Sequence, residues 1–137
     1  MEKELTNELR QRLIELARQA RKNAYAPYSS YRVGAALLTP SGKFFTGCNV
    51  ESAAYPTSMC AERVAVFKAV SEGEREFLAI AVVTSNGGMP CGACRQVLAE
   101  FGLETLVVIA DDQGQIKQEA TLAELLPGAF GPGDLRK

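Results

Sequence analysis

Hydrophobic residues near the start of the chain recur at helical spacing. Leucines and alanines are separated by charged and polar residues at steps of three and four between Leu5 and Ala24, and Pro27 follows. This spacing places the apolar side chains on one face of an amphipathic helix, which a proline ends. We therefore predict a first helix that covers one face of a sheet.

Two apolar runs follow the first helix and predict a β-hairpin. The first run extends from Val33 to Thr39 and the second from Lys43 to Val50. Between them lies Pro40-Ser41-Gly42, which is a turn sequence. Residues that carry function are expected at the end of the hairpin that lies away from this turn.

The next apolar segment predicts a buried helix. It extends from about Met59 to Glu72 and is apolar on most sides, as a helix enclosed by other elements would be. Thr57 and Ser58 are residue types that cap a helix N-terminus. Gly73 supplies the expected stop.

Two continuous apolar runs in the second half predict neighbouring strands. They extend from Phe77 to Thr84 and from Thr105 to Ala110, and their β-branched content is typical of strands covered on both faces. A helix from Pro90 or Cys91 to Phe101 is predicted between them. This strand, helix, strand order predicts a right-handed parallel crossover.

The last part of the chain adds an edge strand and a short helix. Gln115 to Ala120 is the predicted fifth strand, and Thr121 to Glu124 has the form of a capping box. Together the elements predict a single α/β domain over residues 1–137. We expect three layers, with a mixed five-stranded sheet and helices on both of its faces.

Charge and hydropathy argue against two classes of partner. The net charge is −1 and the cationic residues are spread along the chain, so we expect no nucleic acid partner. The apolar run from Leu78 to Val83 is far shorter than the roughly 20 residues of a membrane span, so we expect no membrane association. The first residues, Met1 to Leu5, are charged and unlike a signal peptide, which favours a reducing cytoplasm.

Three cysteines and one glutamate predict an open zinc site in a chain that has no histidine. Cys91 and Cys94 form a C-x-x-C pair, and Cys60 completes a set of three thiols from a different element. A catalytic zinc keeps three protein ligands and an open position, whereas a structural zinc is closed by four. Zinc prefers thiolates to a carboxylate, so Glu62 is free for acid–base work.

Two less specific interpretations of the cysteines remain open. A C-x-x-C pair alone also suits a structural zinc or a redox pair. Cys48 could close a four-cysteine structural site, but its place beside Asn49 on a predicted strand favours a buried apolar thiol.

The surroundings of the predicted site favour bound thiolates. Both cysteine groups fall in the first turn of a predicted helix, where free N–H groups and the helix dipole lower thiol pKa values. Three thiolates leave Zn²⁺ with a formal net charge of −1, which opposes the acidification of a bound water. We therefore predict that Arg63 offsets part of this charge through hydrogen bonds to a thiolate.

Six segments spread along the chain carry a resemblance to a known family. The family is that of the small, homotetrameric cytidine deaminases, whose zinc site combines three cysteines with a glutamate that is not a ligand. The six segments are Ala24-Tyr25-Ala26-Pro27-Tyr28-Ser29, Val33-Gly34-Ala35-Ala36-Leu37, Gly47-Cys48-Asn49-Val50-Glu51, Cys60-Ala61-Glu62-Arg63, Pro90-Cys91-Gly92-Ala93-Cys94-Arg95-Gln96 and Leu125-Leu126-Pro127-Gly128-Ala129-Phe130.

The resemblance implies an activity and a cofactor. Cytidine and deoxycytidine would be hydrolysed to uridine and deoxyuridine with loss of ammonia, in pyrimidine salvage, with one Zn²⁺ per subunit. Glu62 would move the protons between the attacking water, N3 of the ring and the departing amine.

The resemblance also implies a set of substrate-binding residues. Asn49 and Glu51 would bind the ribose hydroxyls, projecting together from one strand face, and Ala61 would also contact the substrate. Tyr31 and Phe130 would line the base pocket. Phe130 would come from a neighbouring subunit of a homotetramer, and Tyr55 is similar to a residue that reaches across subunits.

Two departures from the family and two alternative functions remain. Tyr31 stands where the family often has phenylalanine, and Ser52 where it often has asparagine. A deaminase of modified or antibiotic nucleosides would share the zinc site, although Asn49 and Glu51 argue against it. A zinc-stapled interaction module that is not an enzyme would make no use of Glu62.

Overall fold

A mixed five-stranded sheet forms the centre of the computed structural model, which describes residues 4–136. The strand order is β2-β1-β3-β4-β5. The strands are β1 Gly34–Leu38, β2 Phe44–Cys48, β3 Ala79–Thr84, β4 Leu106–Asp111 and β5 Ile116–Thr121.

Helices cover both faces of this sheet. They are α1 Asn7–Arg21, α2 Ala61–Ser71, α3 Gly92–Ala99 and α4 Leu122–Leu125, with single 3₁₀ turns at Tyr55–Thr57 and Pro132–Asp134. Alternate residues of β1 point to opposite sides, so Ala36 and Leu38 pack with α1 whereas Ala35 and Leu37 pack with α2 and α3. The predicted three-layer α/β class is confirmed.

The strand pairing follows the predicted topology. β1 and β2 form the antiparallel hairpin. β3 and β4 form a parallel pair, and α3 connects them in the sequence. β1 also pairs antiparallel with β3, and β5 is the antiparallel edge strand. Every residue of β1 and β3 is buried, which explains why these segments lack polar alternation.

The predicted start of the second helix is wrong. Thr57 and Ser58 do not cap α2; Cys60 occupies the N-cap position instead. The reason is that Met59 is held extended by an isolated antiparallel bridge to Val50, so the helix starts only after this bridge. Cys60 therefore lies directly at the helix N-terminus.

The second hairpin strand is shorter than predicted. β2 ends at Cys48, and beyond it only isolated bridges at Val50 continue the extended chain. Asn49 and Glu51 therefore lie just past the strand rather than on one of its faces. This end of β2 meets the start of β1 and the end of β3, because Gly34 is opposite both Cys48 and Val83.

Two glycines let the helices approach the sheet closely. A Cβ atom on Gly47 of β2 would lie 2.5 Å from the carbonyl oxygen of Ala61 in α2. A Cβ atom on Gly34 of β1 would lie 2.0 Å from the carbonyl oxygen of Ala17 in α1. Both contacts are shorter than any real Cβ contact, so these positions fix the distance between helix and sheet.

The predictions at the start of the chain are tested only in part. Residues 1–3, on which the expectation about a signal peptide partly rests, lie outside the described residues. Across residues 4–136, no helix combines the length and the apolar character that crossing a membrane requires.

Candidate active site

Three thiols meet where α2 and α3 begin. The Sγ atoms of Cys60, Cys91 and Cys94 all lie within 4.8 Å of one another. The Cys60–Cys91 sulfur distance is 3.8 Å and the Cys91–Cys94 distance is 3.3 Å. Cys60 and Cys91 are the N-cap residues of α2 and α3, and Cys94 follows in the first turn of α3.

The sulfur spacing fits a zinc ion. Sulfur ligands of a tetrahedral zinc lie about 2.3 Å from the metal and hence about 3.8 Å from one another. The Cys60–Cys91 distance matches this value, and the Cys91–Cys94 distance is about 0.5 Å shorter. Cys48 is half-buried on β2 and does not belong to the cluster, so the four-cysteine structural site is not supported.

The cluster favours one thiolate even before a metal binds. Hydrogen bonding with the neighbouring Cys94 thiol lowers the pKa of Cys60 to about 5, and the Arg63 guanidinium contributes to this lowering. The same hydrogen bond raises the pKa of Cys94. Because a metal needs its sulfur ligands deprotonated, zinc affinity at this cluster should depend on pH.

Glu62 lies beside the three thiols as a buried carboxyl group. It is 4 % exposed and occupies the first turn of α2. Burial raises its pKa, and the negative charge of Cys60 adds to the effect. A carboxyl group whose pKa is moved towards neutrality is suited to taking up and releasing a proton.

Arg63 contacts the cluster through Cys60. Its Nη2 donates to the Sγ of Cys60 over 3.4 Å. Its Nε is buried and has no hydrogen-bond partner anywhere in residues 4–136. The contact through Nη2 places the positive charge of the guanidinium next to the Cys60 sulfur.

A pocket of about 550 Å³ opens onto the cluster. Cys60, Cys91, Glu62 and Arg63 lie in its wall. This volume is in the range of small-molecule sites. The fully buried side chain of Ala61 is not part of the lining, so a contact with substrate would have to use its backbone at the start of α2.

Asn49 and Glu51 both line the pocket, although each also holds a loop in place. Asn49 accepts from the Val33 N–H over 2.9 Å and donates to the Tyr31 carbonyl over 2.8 Å. Glu51 accepts from the hydroxyl of Ser29, which is the main reason that its pKa is lowered, and from the backbone N–H groups of Tyr28 and Ser29. An amide and a carboxylate each retain capacity for a further hydrogen bond.

The two predicted pocket aromatics are not brought together within one chain. Tyr31 lines the pocket, and so does the exposed Tyr55. Phe130 is 57 % exposed and lies in the wall of a separate depression beside Phe101 and Pro132.

Some residues of the pocket wall were not predicted from the sequence. Thr84, Gly88 and Met89 lie in it, after or at the end of β3. The available signal was topological, because ligand sites lie at the carboxyl ends of parallel strands. Asn86 contacts this wall through the Tyr31 hydroxyl.

Comparison with known proteins identifies a family over most of the chain. Residues 7–110 match the family described as the cytidine and deoxycytidylate deaminase zinc-binding region. A cytidine deaminase of Sporosarcina psychrophila is 51% identical over 128 residues, which cover 91% of this chain and 93% of the relative. A cytidine deaminase of Halalkalibacterium halodurans is 54% identical over 129 residues, which cover 92% and 97%.

The fold agrees with a solved structure of the same family. The 1.6 Å crystal structure of cytidine deaminase from Burkholderia pseudomallei superposes with a TM-score of 0.83 at 49% identity. The match covers 91% of this chain and 99% of that one. Sequence, fold and thiol cluster agree, and the chain belongs to the cytidine deaminase family of zinc enzymes.

Proposed function

We propose that this protein hydrolyses cytidine and deoxycytidine to uridine and deoxyuridine with release of ammonia, as a step of pyrimidine salvage. One observation carries the proposal: the buried carboxyl group of Glu62 lies next to three clustered thiols in the wall of a nucleoside-sized pocket. The names of the relatives from Sporosarcina psychrophila and Halalkalibacterium halodurans support the same reaction.

The three thiols and Glu62 have separate tasks in this reaction. Cys60, Cys91 and Cys94 hold Zn²⁺, which when bound supplies a Lewis acid able to lower the pKa of water to about 7. Glu62 takes a proton from the attacking water and delivers it to N3 of the cytosine ring. The water oxygen bonds to C4 as this proton leaves it. Glu62 then takes the remaining proton of the new C4 hydroxyl group and passes it to the amine, so that ammonia departs as the C4–N bond breaks and the 4-oxo group forms.

The pocket wall supplies the contacts that orient the nucleoside. Asn49 and Glu51 are assigned to the ribose hydroxyls, because both line the pocket and retain hydrogen-bonding capacity. Tyr31 is assigned to the base, and Ala61 contributes through its backbone. Arg63 offsets the charge of the thiolates through its contact with Cys60.

The proposal extends to assembly and compartment. The site of one chain lacks a contribution from Phe130, and a neighbouring subunit of a homotetramer would supply it. Cys48, Cys60, Cys91 and Cys94 are all free thiols, as a protein of the reducing cytoplasm requires. The proposed deaminase domain spans residues 1–137.

The test compares wild-type protein with Glu62→Gln. The amide keeps the size of the side chain but cannot accept and release the proton, so we expect kcat to fall by about 10²- to 10⁴-fold. Turnover is followed by the ultraviolet absorbance change of cytidine, and zinc is assayed in both preparations.

The control is the metal content, because Glu62→Gln must retain its zinc for the comparison to be valid. A wild-type protein with about one zinc per chain that leaves cytidine and deoxycytidine unchanged would contradict the proposal. Modified nucleosides, or a zinc with a structural role only, would then be the next hypotheses to test.

A further inference from the structure

The hydroxyl group of Tyr31 connects two loops that bound the pocket. It donates to Oδ1 of Asn86 over 2.8 Å. The Thr84 hydroxyl donates to the same oxygen over 3.2 Å and accepts from the Gly88 N–H over 2.8 Å. A continuous chain of hydrogen bonds therefore joins the loop of Tyr31 to the segment that follows β3.

The residue at position 88 leaves room for this arrangement. A Cβ atom there would lie 2.3 Å from the Tyr31 hydroxyl oxygen and 3.4 Å from Oδ1 of Asn86. Any side chain at this position would displace the phenol from its acceptor. The absence of a side chain at Gly88 therefore leaves the space that the phenol occupies.

The backbone of Tyr31 is tied to the residues assigned to the ribose. Its N–H donates to the Ser29 hydroxyl over 3.0 Å, and that hydroxyl in turn donates to Glu51. Its carbonyl accepts from Asn49 over 2.8 Å. The preceding Ser30 has a φ of 59°, which a residue other than glycine adopts only where its surroundings enforce it.

We propose that Tyr31 is a positioning residue whose hydroxyl, through Asn86, joins loop 28–31 and loop 85–89 into one pocket wall and thereby sets the affinity for the nucleoside. The inference rests on the proposed function, since it concerns the same pocket. The phenol ring needs no hydroxyl to contact a base. The hydroxyl acts through Asn86, on the position of the wall.

The metal ligands are anchored independently of this link. The carbonyl of Pro90, directly before Cys91, accepts from Nε of Arg95 over 2.9 Å. Nη1 of Arg95 also donates to the Leu125 carbonyl over 2.8 Å. Because the start of α3 is held in this way, loss of the link moves the pocket wall and leaves the cysteine cluster in place.

The experiment removes the two partners separately and together in the zinc-loaded protein. Tyr31→Phe and Asn86→Ala should each raise KM for cytidine by about three- to tenfold, as loss of one neutral hydrogen bond does. Both should leave kcat within about twofold and zinc content unchanged. The double variant should resemble either single variant, because all three lack the same bond.

Two further variants identify the bond as the cause. Asn86→Asp retains an oxygen acceptor for the phenol and should keep KM within about twofold of the wild-type value. Tyr25→Phe is the matched control, because the Tyr25 hydroxyl has no hydrogen-bond partner in residues 4–136 and lies outside the pocket. It should leave KM unchanged.

Three outcomes would overturn the inference: an unchanged KM in Tyr31→Phe, effects of the two single variants that multiply in the double variant, or an Asn86→Asp protein as impaired as Asn86→Ala. Failure of the proposed function gives a different result, namely no turnover by the wild type. In that case calorimetric binding of cytidine to zinc-loaded Glu62→Gln, with and without Tyr31→Phe, decides on the link: equal affinities overturn it.

Discussion

At the scale of single residues, the proposed role of Arg63 is to stabilise the thiolates that bind zinc. Three thiolates around Zn²⁺ carry a formal net charge of −1, and the Arg63 guanidinium donates to one of them over 3.4 Å. A hydrogen bond from a cation to a metal ligand stabilises the thiolate form that binds metal. The two helix N-termini at Cys60 and Cys91 act in the same direction.

We expect Arg63→Gln to weaken zinc binding by about 10- to 100-fold, the usual effect of removing a partner that orients a metal ligand. The zinc affinity of Arg63→Lys should lie between those of Arg63→Gln and the wild type. Lysine keeps the positive charge but lacks the planar guanidinium group with its several N–H donors. Zinc affinity is measured by competition with a chromophoric chelator.

The matched control for this prediction is Arg75→Gln. Arg75 is exposed in the turn between α2 and β3 and belongs to no salt bridge among the described residues. Zinc affinity equal to wild type in Arg63→Gln, or an equal loss in Arg75→Gln, would show that the contact with Cys60 does not stabilise the metal.

Which site residues a sequence can predict depends on how local their geometry is. Cys60, Cys91, Cys94 and Glu62 follow from ligand type and spacing, because helix N-termini impose their positions. The inward turn of Asn49 and the bond between Tyr31 and Asn86 join residues far apart in the chain. Such contacts depend on how the loops pack, and no spacing rule contains them.

At the scale of elements, the distances of α1 and α2 from the sheet are each set by one glycine. Gly47 faces α2, which has Cys60 as its N-cap and Glu62 in its first turn. Gly34 faces α1, which carries no site residue. The two positions impose the same steric demand on opposite faces. Variants at these two glycines therefore distinguish a general loss of stability from a specific disturbance of the active site.

We expect Gly47→Ala and Gly34→Ala each to lower the free energy of unfolding by about 1–3 kcal/mol through overpacking. Only Gly47→Ala should also weaken zinc binding and lower kcat, because the methyl group displaces the helix that carries a ligand and the carboxyl group. Denaturant unfolding and chelator competition on both variants check this. If both variants lost zinc affinity equally, Gly47 would not be the residue that positions α2 and its site residues.

Element type was more predictable than element boundary. The hairpin, the parallel pair and the capping box of α4 followed from apolar periodicity and turn chemistry, and the capping box of Thr121 and Glu124 is present. The start of α2 could not be predicted from such local patterns. The bridge between Val50 and Met59 overrides the capping preference of Thr57 and Ser58. Pairing with a distant segment is invisible to a local rule.

At the scale of the whole molecule, the position of Phe130 raises the question of assembly. Phe130 is exposed and lies outside the pocket of its own chain. Further large apolar side chains, including Val50, Phe67 and Leu103, are also exposed. If a neighbouring subunit supplies Phe130, no chain has a complete site alone.

A hybrid assembly tests this directly. Phe130→Ala and Glu62→Gln chains carrying different tags are expressed together and purified over both tags. Each variant alone should have low activity. In mixed assemblies, a Phe130→Ala chain retains Glu62 and can receive an intact Phe130 from a Glu62→Gln neighbour, so about one quarter of the sites should be complete.

The control replaces the Phe130→Ala chain with a second, differently tagged Glu62→Gln chain, which offers no complete site in any arrangement. Activity of the hybrid well above that of both variants assayed separately requires that Phe130 and Glu62 of one site come from different chains. If Phe130 acted within its own chain, every site in the hybrid would lack one of the two residues. The mixture would then show no more than the residual activity of its components.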